Sequence, residues 1–114
     1  MAGPTTTELR IGAGQLASIV ARLVPALNPR AIYLFGSHAD GMPTLDSDID
    51  LLITLDDAEL ARDDEHERGY RAMRGLCLPI ELHFAGVSEF ERRAGLYGSL
   101  EFEVRQHGRL LYGR

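Results

Sequence analysis

The sequence predicts an α/β (α+β) fold: a small mixed β-sheet with helices packed on one face. Three observations lead there. Apolar runs of strand length occur at 30–35, 48–55 and 78–84, each bounded by Gly, Pro, Asn or Asp. Between and around them, apolar residues recur at three- and four-residue spacing, as on one face of a helix. At 114 residues and 45% hydrophobic, the chain can fill one core and is expected to form one domain over residues 1–114.

In chain order, the first candidate element lies within residues 4–27, with a helix expected over about 13–27. Leu16, Ile19, Val20, Leu23, Val24 and Leu27 form its apolar stripe. Pro25 should end or kink it, and Asn28-Pro29 makes a turn. Arg30–Phe35 is apolar on both faces and therefore central in the sheet. A polar loop follows, with a helical turn over Ser37–Gly41, and Asp48–Leu55 forms the second strand. Helical spacing returns over 56–76, with Leu60, Tyr70, Met73 and Leu76 facing inward and the cluster Asp63–Glu67 facing outward or in a connection. Leu78–Phe84 alternates as a third strand, with Pro79 tolerable only near its start. Ser88-Glu89-Phe90-Glu91 has the form of a capping box opening a short helix. A second helix runs from Ser99 to His107 and stops at Gly108, leaving Arg109–Tyr112 for an edge strand.

Composition excludes several chemistries. The cations are 12 arginines with no lysine, which removes Schiff-base catalysis and the phosphate lysine of a P-loop. A net charge of −5 without a basic cluster argues against direct nucleic-acid binding. Residues 36–67 carry eleven acids and one base, which fits a metal site beside a solvated helix face. No apolar run nears membrane-spanning length and no leader is visible, so a cytoplasmic protein without a membrane partner is expected. The single cysteine, Cys77, sits among apolar neighbours and is expected to be buried packing. No His/Cys spacing supports zinc, and Ser37 has no base to make it a nucleophile.

The chemistry concentrates in one stretch, F-G-S-H-A-D-G-M-P-T-L-D-S-D-I-D-L from Phe35 to Leu51. Asp48 and Asp50 lie at i and i+2, so in a strand both carboxylates project to one side. Two adjacent carboxylates call for a cation between them, and hard oxygen donors suit Mg²⁺ or Mn²⁺. Gly36-Ser37, at the end of the preceding strand, can offer amides and a hydroxyl to a phosphate, with His38 beside them. Glu81, an acid between Ile80 and Leu82, is either an ion-paired edge residue or a third metal carboxylate brought alongside by strand pairing. His83 shares its face; Asp46 more simply fixes the loop.

The pattern Gly36-Ser37, ten residues, Asp48-Ile49-Asp50 resembles the signature of the DNA polymerase β-like nucleotidyltransferase superfamily. The resemblance is closest to the minimal nucleotidyltransferases (MNT) of bacteria and archaea. It extends through Gly41, Asp46-Ser47, the I-E-L-H strand, G-S-L-E-F-E at 98–103 and the final G-R-L-L-Y. It implies the polymerase β-like nucleotidyltransferase fold, with a catalytic core over about 30–112. It also implies Mg²⁺-dependent transfer of a nucleoside monophosphate from ATP or another triphosphate, with two ions and Mn²⁺ as an alternative. Gly36, Ser37 and His38 would hold the nucleotide; Asp48, Asp50 and Glu81 would hold metal and carry catalysis. Such domains often act as antitoxins in HEPN/MNT toxin–antitoxin pairs, where the partner is a HEPN-domain toxin encoded by an adjacent gene. Several AMPylate a tyrosine of that toxin. This chain departs from the usual pattern in having Glu81 for Asp and His38-Ala39-Asp40-Gly41 for R-A-R-G. Those departures keep a second reading open, an antitoxin that neutralises by binding alone. A third is nucleotidyl transfer to a small molecule.

Overall fold

Two hydrogen-bonded strands, β1 (Ala31–Phe35) and β2 (Ile49–Leu55), form the antiparallel centre of a four-stranded sheet. The computed structural model describes residues 11–41, 43 and 47–114. Residues 4–10 of the first candidate element and the loop role of Asp46 fall outside them. β3 (Ile80–Gly86) joins the outer edge of β2 in parallel, and β4 (Arg109–Gly113) joins β1 antiparallel, giving the order β3-β2-β1-β4. The sheet is therefore mixed, and β1 is central as its two apolar faces require.

A helix α1 (Ala13–Leu27) precedes β1, and a single turn α2 (Ser37–Asp40) follows it. The crossover from β2 to β3 carries α3 (Asp57–Leu60) and α4 (Glu65–Ala72). Beyond β3 come α5 (Val87–Arg93) and α6 (Leu100–His107). Pro25 neither ends nor breaks α1: it sits in the last turn, and the helix runs two residues further to Leu27 before Asn28 caps it in the left-handed conformation.

Alternation along the strands separates two cores. Leu16, Ile19, Leu23 and Leu27 of α1 pack on Ile32, Leu34, Leu51, Ile53, Leu55 and Leu82. The other face collects Leu52, Ala85, Phe90, Ala94 and Val104, with Tyr33 and Phe35 against them. Each fully buried Leu or Ile is worth roughly 1.5–3 kcal/mol relative to exposure. Helices thus cover both faces of the sheet rather than one, because α5 and α6 each bring an apolar residue, Phe90 and Val104, to the second face. Tyr33 stacks on Phe90 at 5.4 Å between ring centroids, and the Arg105 guanidinium lies over the Phe90 ring at 5.3 Å.

Further local expectations change, Tyr70 among them: it is 42% exposed rather than inward. The third strand begins at Ile80, after Pro79, whose carbonyl instead accepts from Ile49 N–H at 2.7 Å. Ser88 does not cap a helix: β3 runs straight into α5 with Gly86 at the cap, and the Ser88 hydroxyl donates to Asp57 at 2.5 Å. Cys77 is exposed, because a backbone φ of 55° turns it outward while Leu76 and Leu78 pack inward. Glu65, expected on a solvated face, is buried at the start of α4.

Candidate functional site

The end of β1 and the starts of β2 and β3 meet at one corner of the sheet. Register places Asp50 opposite Phe35 on one side and Glu81 on the other. Because Leu51, Ile53 and Leu82 are committed to the α1 face, Asp50, Glu81 and His83 must point to the opposite face. There α5 and α6 cover Leu52 and Ala85 further along the strands and leave the strand starts open.

Gly36 ends β1 at φ 76°. A Cβ built on it would lie 2.5 Å from Asp50 Oδ2, so only glycine lets the loop pass this close to the carboxylate. The carbonyl of Gly36 accepts from Ala39 and Asp40 N–H at 3.1 and 3.0 Å, which winds Ser37–Asp40 into the expected turn. The first amides of such a turn have no partner within it and face outward from its start. Ser37 thus stands at the loop's opening beside the acidic corner.

Asp50, Glu81 and His83 form the group of potential metal ligands found among the described residues, with one ligand atom from each lying within 4.8 Å of the others. His83 Nε2 is 3.9 Å from Asp50 Oδ1 and 3.7 Å from Glu81 Oε1. Its ring meets the edge of Phe35 at 5.2 Å between centroids. The Asp50 carboxyl is held above its ordinary value, first by burial and then by the Glu81 charge. The Asp48 charge and a hydrogen bond that the protonated Asp50 carboxyl donates to Glu81 add to this, and the His83 charge opposes it. An acid corner that raises a carboxyl in this way is one a cation would relieve.

Asp48 lies one residue before β2 and is exposed; it is near enough for its charge to act on Asp50 but is not in the three-residue group. Glu81 is about half-exposed, since β3 is an edge strand, so the expected buried acid is instead a solvent-facing one directed at Asp50. His38 is engaged on both ring nitrogens. Nδ1 accepts from Ile11 N–H at 3.2 Å, and Nε2 lies 3.4 Å from the Ser47 carbonyl. With Nδ1 accepting, Nε2 carries the proton and donates to that carbonyl. His38 therefore ties the segment before α1 to the residue preceding Asp48.

Two features could be placed only from the structure. His83 was legible by its i+2 spacing from Glu81, but only the β2–β3 register shows that both converge on Asp50. Glu103 and His107 of α6 join Phe35, Gly36 and Asp40 around a cavity of about 240 Å³ beside the Gly36 turn. Nothing in their local sequence signals that approach, which comes from packing α6 on β1.

Comparison with known proteins agrees with this arrangement. A candidate nucleotidyltransferase from Sulfolobus solfataricus superposes with a TM-score of 0.66 at 23% identity, over 99% of this chain and 91% of that one. A toxin–antitoxin structure containing AMP-PNP superposes with a TM-score of 0.53 at 22% identity, over 91% of this chain and 75% of the other. At these identities the likeness is one of fold. No match was found among curated proteins. The sequence profile of the Nucleotidyltransferase domain family matches residues 14–108, which spans α1 through α6 with the whole acidic corner, and the chain belongs to that family.

Proposed function

We propose that this protein transfers a nucleoside monophosphate, AMP from ATP in the first instance, to a hydroxyl of a protein partner, and that it serves as the antitoxin of a HEPN-type toxin. The observation that carries the reading is the convergence of Gly36, Asp50 and Glu81 at the end of β1. A glycine turn able to offer amides to a phosphate and a pair of carboxylates occupy the same corner, as nucleotidyl transfer needs. The toxin–antitoxin neighbour with its ATP analogue supports the choice of nucleotide and partner.

The residues present fit a divalent cation. Asp50 and Glu81 offer hard oxygen donors, with the His83 imidazole nitrogen 3.9 and 3.7 Å from their oxygens. When bound, such an ion would offset the charge of the triphosphate and polarise the oxygens at the reacting phosphorus. Asp50 and Glu81 would hold it, with Asp48 at the open side as a further carboxylate toward metal or nucleotide. Gly36 and Ser37 would receive the triphosphate through backbone N–H groups and the hydroxyl. His38 would act by holding the Ser47–Asp48 segment in register with the loop. Glu81, half-exposed and on the edge strand, would hold the catalytic ion or take the proton of an incoming acceptor hydroxyl. In balance, the acceptor oxygen bonds to the α-phosphorus, pyrophosphate leaves, and the hydroxyl proton passes to a carboxylate.

The test uses the protein with its adjacent gene product, Mg²⁺ or Mn²⁺, and each of the four nucleoside triphosphates labelled at the α-phosphate. Label should appear on the partner with ATP and vanish with Asp48→Asn or Asp50→Asn. A tight complex in which no nucleotide transfers label would replace the enzyme by a binding antitoxin. Label on a small molecule but not on the partner would redirect the acceptor.

A further inference from the structure

We propose that His83 is a ligand of the divalent ion at this corner, and that it gives the site a preference for a first-row transition ion such as Mn²⁺ over Mg²⁺. The inference rests on the metal role of Asp50 and Glu81 argued above and extends it to a nitrogen donor.

Alternation along β3 puts residues 81 and 83 on one face, and the parallel register places Asp50 directly opposite Glu81. His83 Nε2 is 3.9 Å from the Asp50 oxygen and 3.7 Å from the Glu81 oxygen. Those separations are too long for hydrogen bonds. They match the spacing of atoms that share an ion: ligands each about 2.1 Å from one metal lie roughly 3 to 4 Å apart, depending on the angle between them. Among the described residues the His83 ring has no hydrogen-bond partner, and its edge contact with Phe35 fixes its plane while leaving Nε2 toward the two carboxylates. A ring held by an aromatic neighbour, with its nitrogen directed at two acids, is arranged as a donor.

The donor type then decides the ion. Mg²⁺ is hard, keeps its waters and selects oxygen ligands. Imidazole favours transition ions, whose affinities for a nitrogen-containing site exceed that of Mg²⁺. Two carboxylates and one imidazole therefore discriminate where carboxylates alone would do so weakly.

The experiment is equilibrium binding of Mn²⁺ and of Mg²⁺ to the metal-free full chain, with electron spin-echo spectroscopy of the Mn²⁺ form. The native protein should show coupling to a directly bound nitrogen-14. His83→Leu should abolish that coupling and weaken Mn²⁺ by about tenfold or more, while Mg²⁺ binding changes by less than about threefold. His83→Gln, which keeps a polar side chain of similar reach, should likewise lose the nitrogen signal. Mn²⁺ that binds and is lost with Asp50→Asn, yet shows no nitrogen coupling in the native protein, would overturn the role of His83 and leave the carboxylate site standing. Mn²⁺ binding that is absent, or unaffected by Asp50→Asn, would overturn the metal site itself.

Discussion

At Gly36 a single hydrogen atom takes the place where any other side chain would begin. The φ of 76° already disfavours an L-residue, and a methyl group would meet Asp50 Oδ2 at 2.5 Å. Gly36→Ala should therefore cost about 1–3 kcal/mol in denaturant unfolding from the backbone conformation alone. It should also abolish nucleotide transfer by displacing the loop or the carboxylate. Asp50 is the second sensitive residue. Its carboxyl is raised by burial and by Glu81, so the folded chain holds the proton more tightly than the unfolded one. That contribution is fully present below the ordinary value of 3.8 and is lost as pH rises through the raised folded value. In chelator, Asp50→Asn should be more thermostable than the native protein at pH 7, and the gap should close as the pH approaches 4. Thermal melts across that range would show it; a gap independent of pH would contradict the electrostatic account. Asp50 was legible from the local D-x-D spacing, whereas Asp48 lies before β2 and outside the three-residue group. Cys77 and Glu65 were not legible, since a left-handed turn and the docking of a helix start decided their exposure.

Elements explain why the third acid could be suspected from sequence but not located. Glu81 stands out as an acid in an apolar strand, yet its place beside Asp50 depends on β3 pairing with β2 in parallel and in one particular register. A slip of one residue would send Glu81 to the α1 face and bring Leu82 out. That register is held from outside the sheet as well: the Tyr70 hydroxyl of α4 accepts the Leu82 N–H at 2.9 Å on the free edge of β3. Tyr70→Phe should destabilise the fold by roughly 1 kcal/mol and speed amide exchange at Leu82. At the other end, the Ser99 hydroxyl accepts from Phe102 N–H at 3.0 Å and donates to the Arg93 carbonyl at 2.6 Å. Ser99→Ala should cost about 1 kcal/mol by urea unfolding, as loss of an N-cap does. Ser99 was visible in the sequence as a helix start; the failure of Ser88 in the same role came from β3 running directly into α5.

Across the whole molecule, the two apolar faces of the central strands divide the labour. One face, sealed by α1, carries most of the buried aliphatic residues, while the other is only partly roofed by α5 and α6 and keeps its acidic corner open. The mixed sheet was legible from strand lengths and order, and helices on both faces were not, because two short C-terminal helices give no local sign of which side they take. Among the described residues no helix is long and apolar enough to cross a membrane. The central claim is that nucleotide and cation meet where the Gly36 turn faces Asp50 and Glu81. It is tested most directly by crystals grown with Mn²⁺ and a non-hydrolysable ATP analogue, with manganese located by anomalous scattering. The account predicts a manganese peak against Asp50 and Glu81 with the triphosphate on Gly36 and Ser37. Manganese or analogue seated only elsewhere, with this corner filled by water, would contradict it.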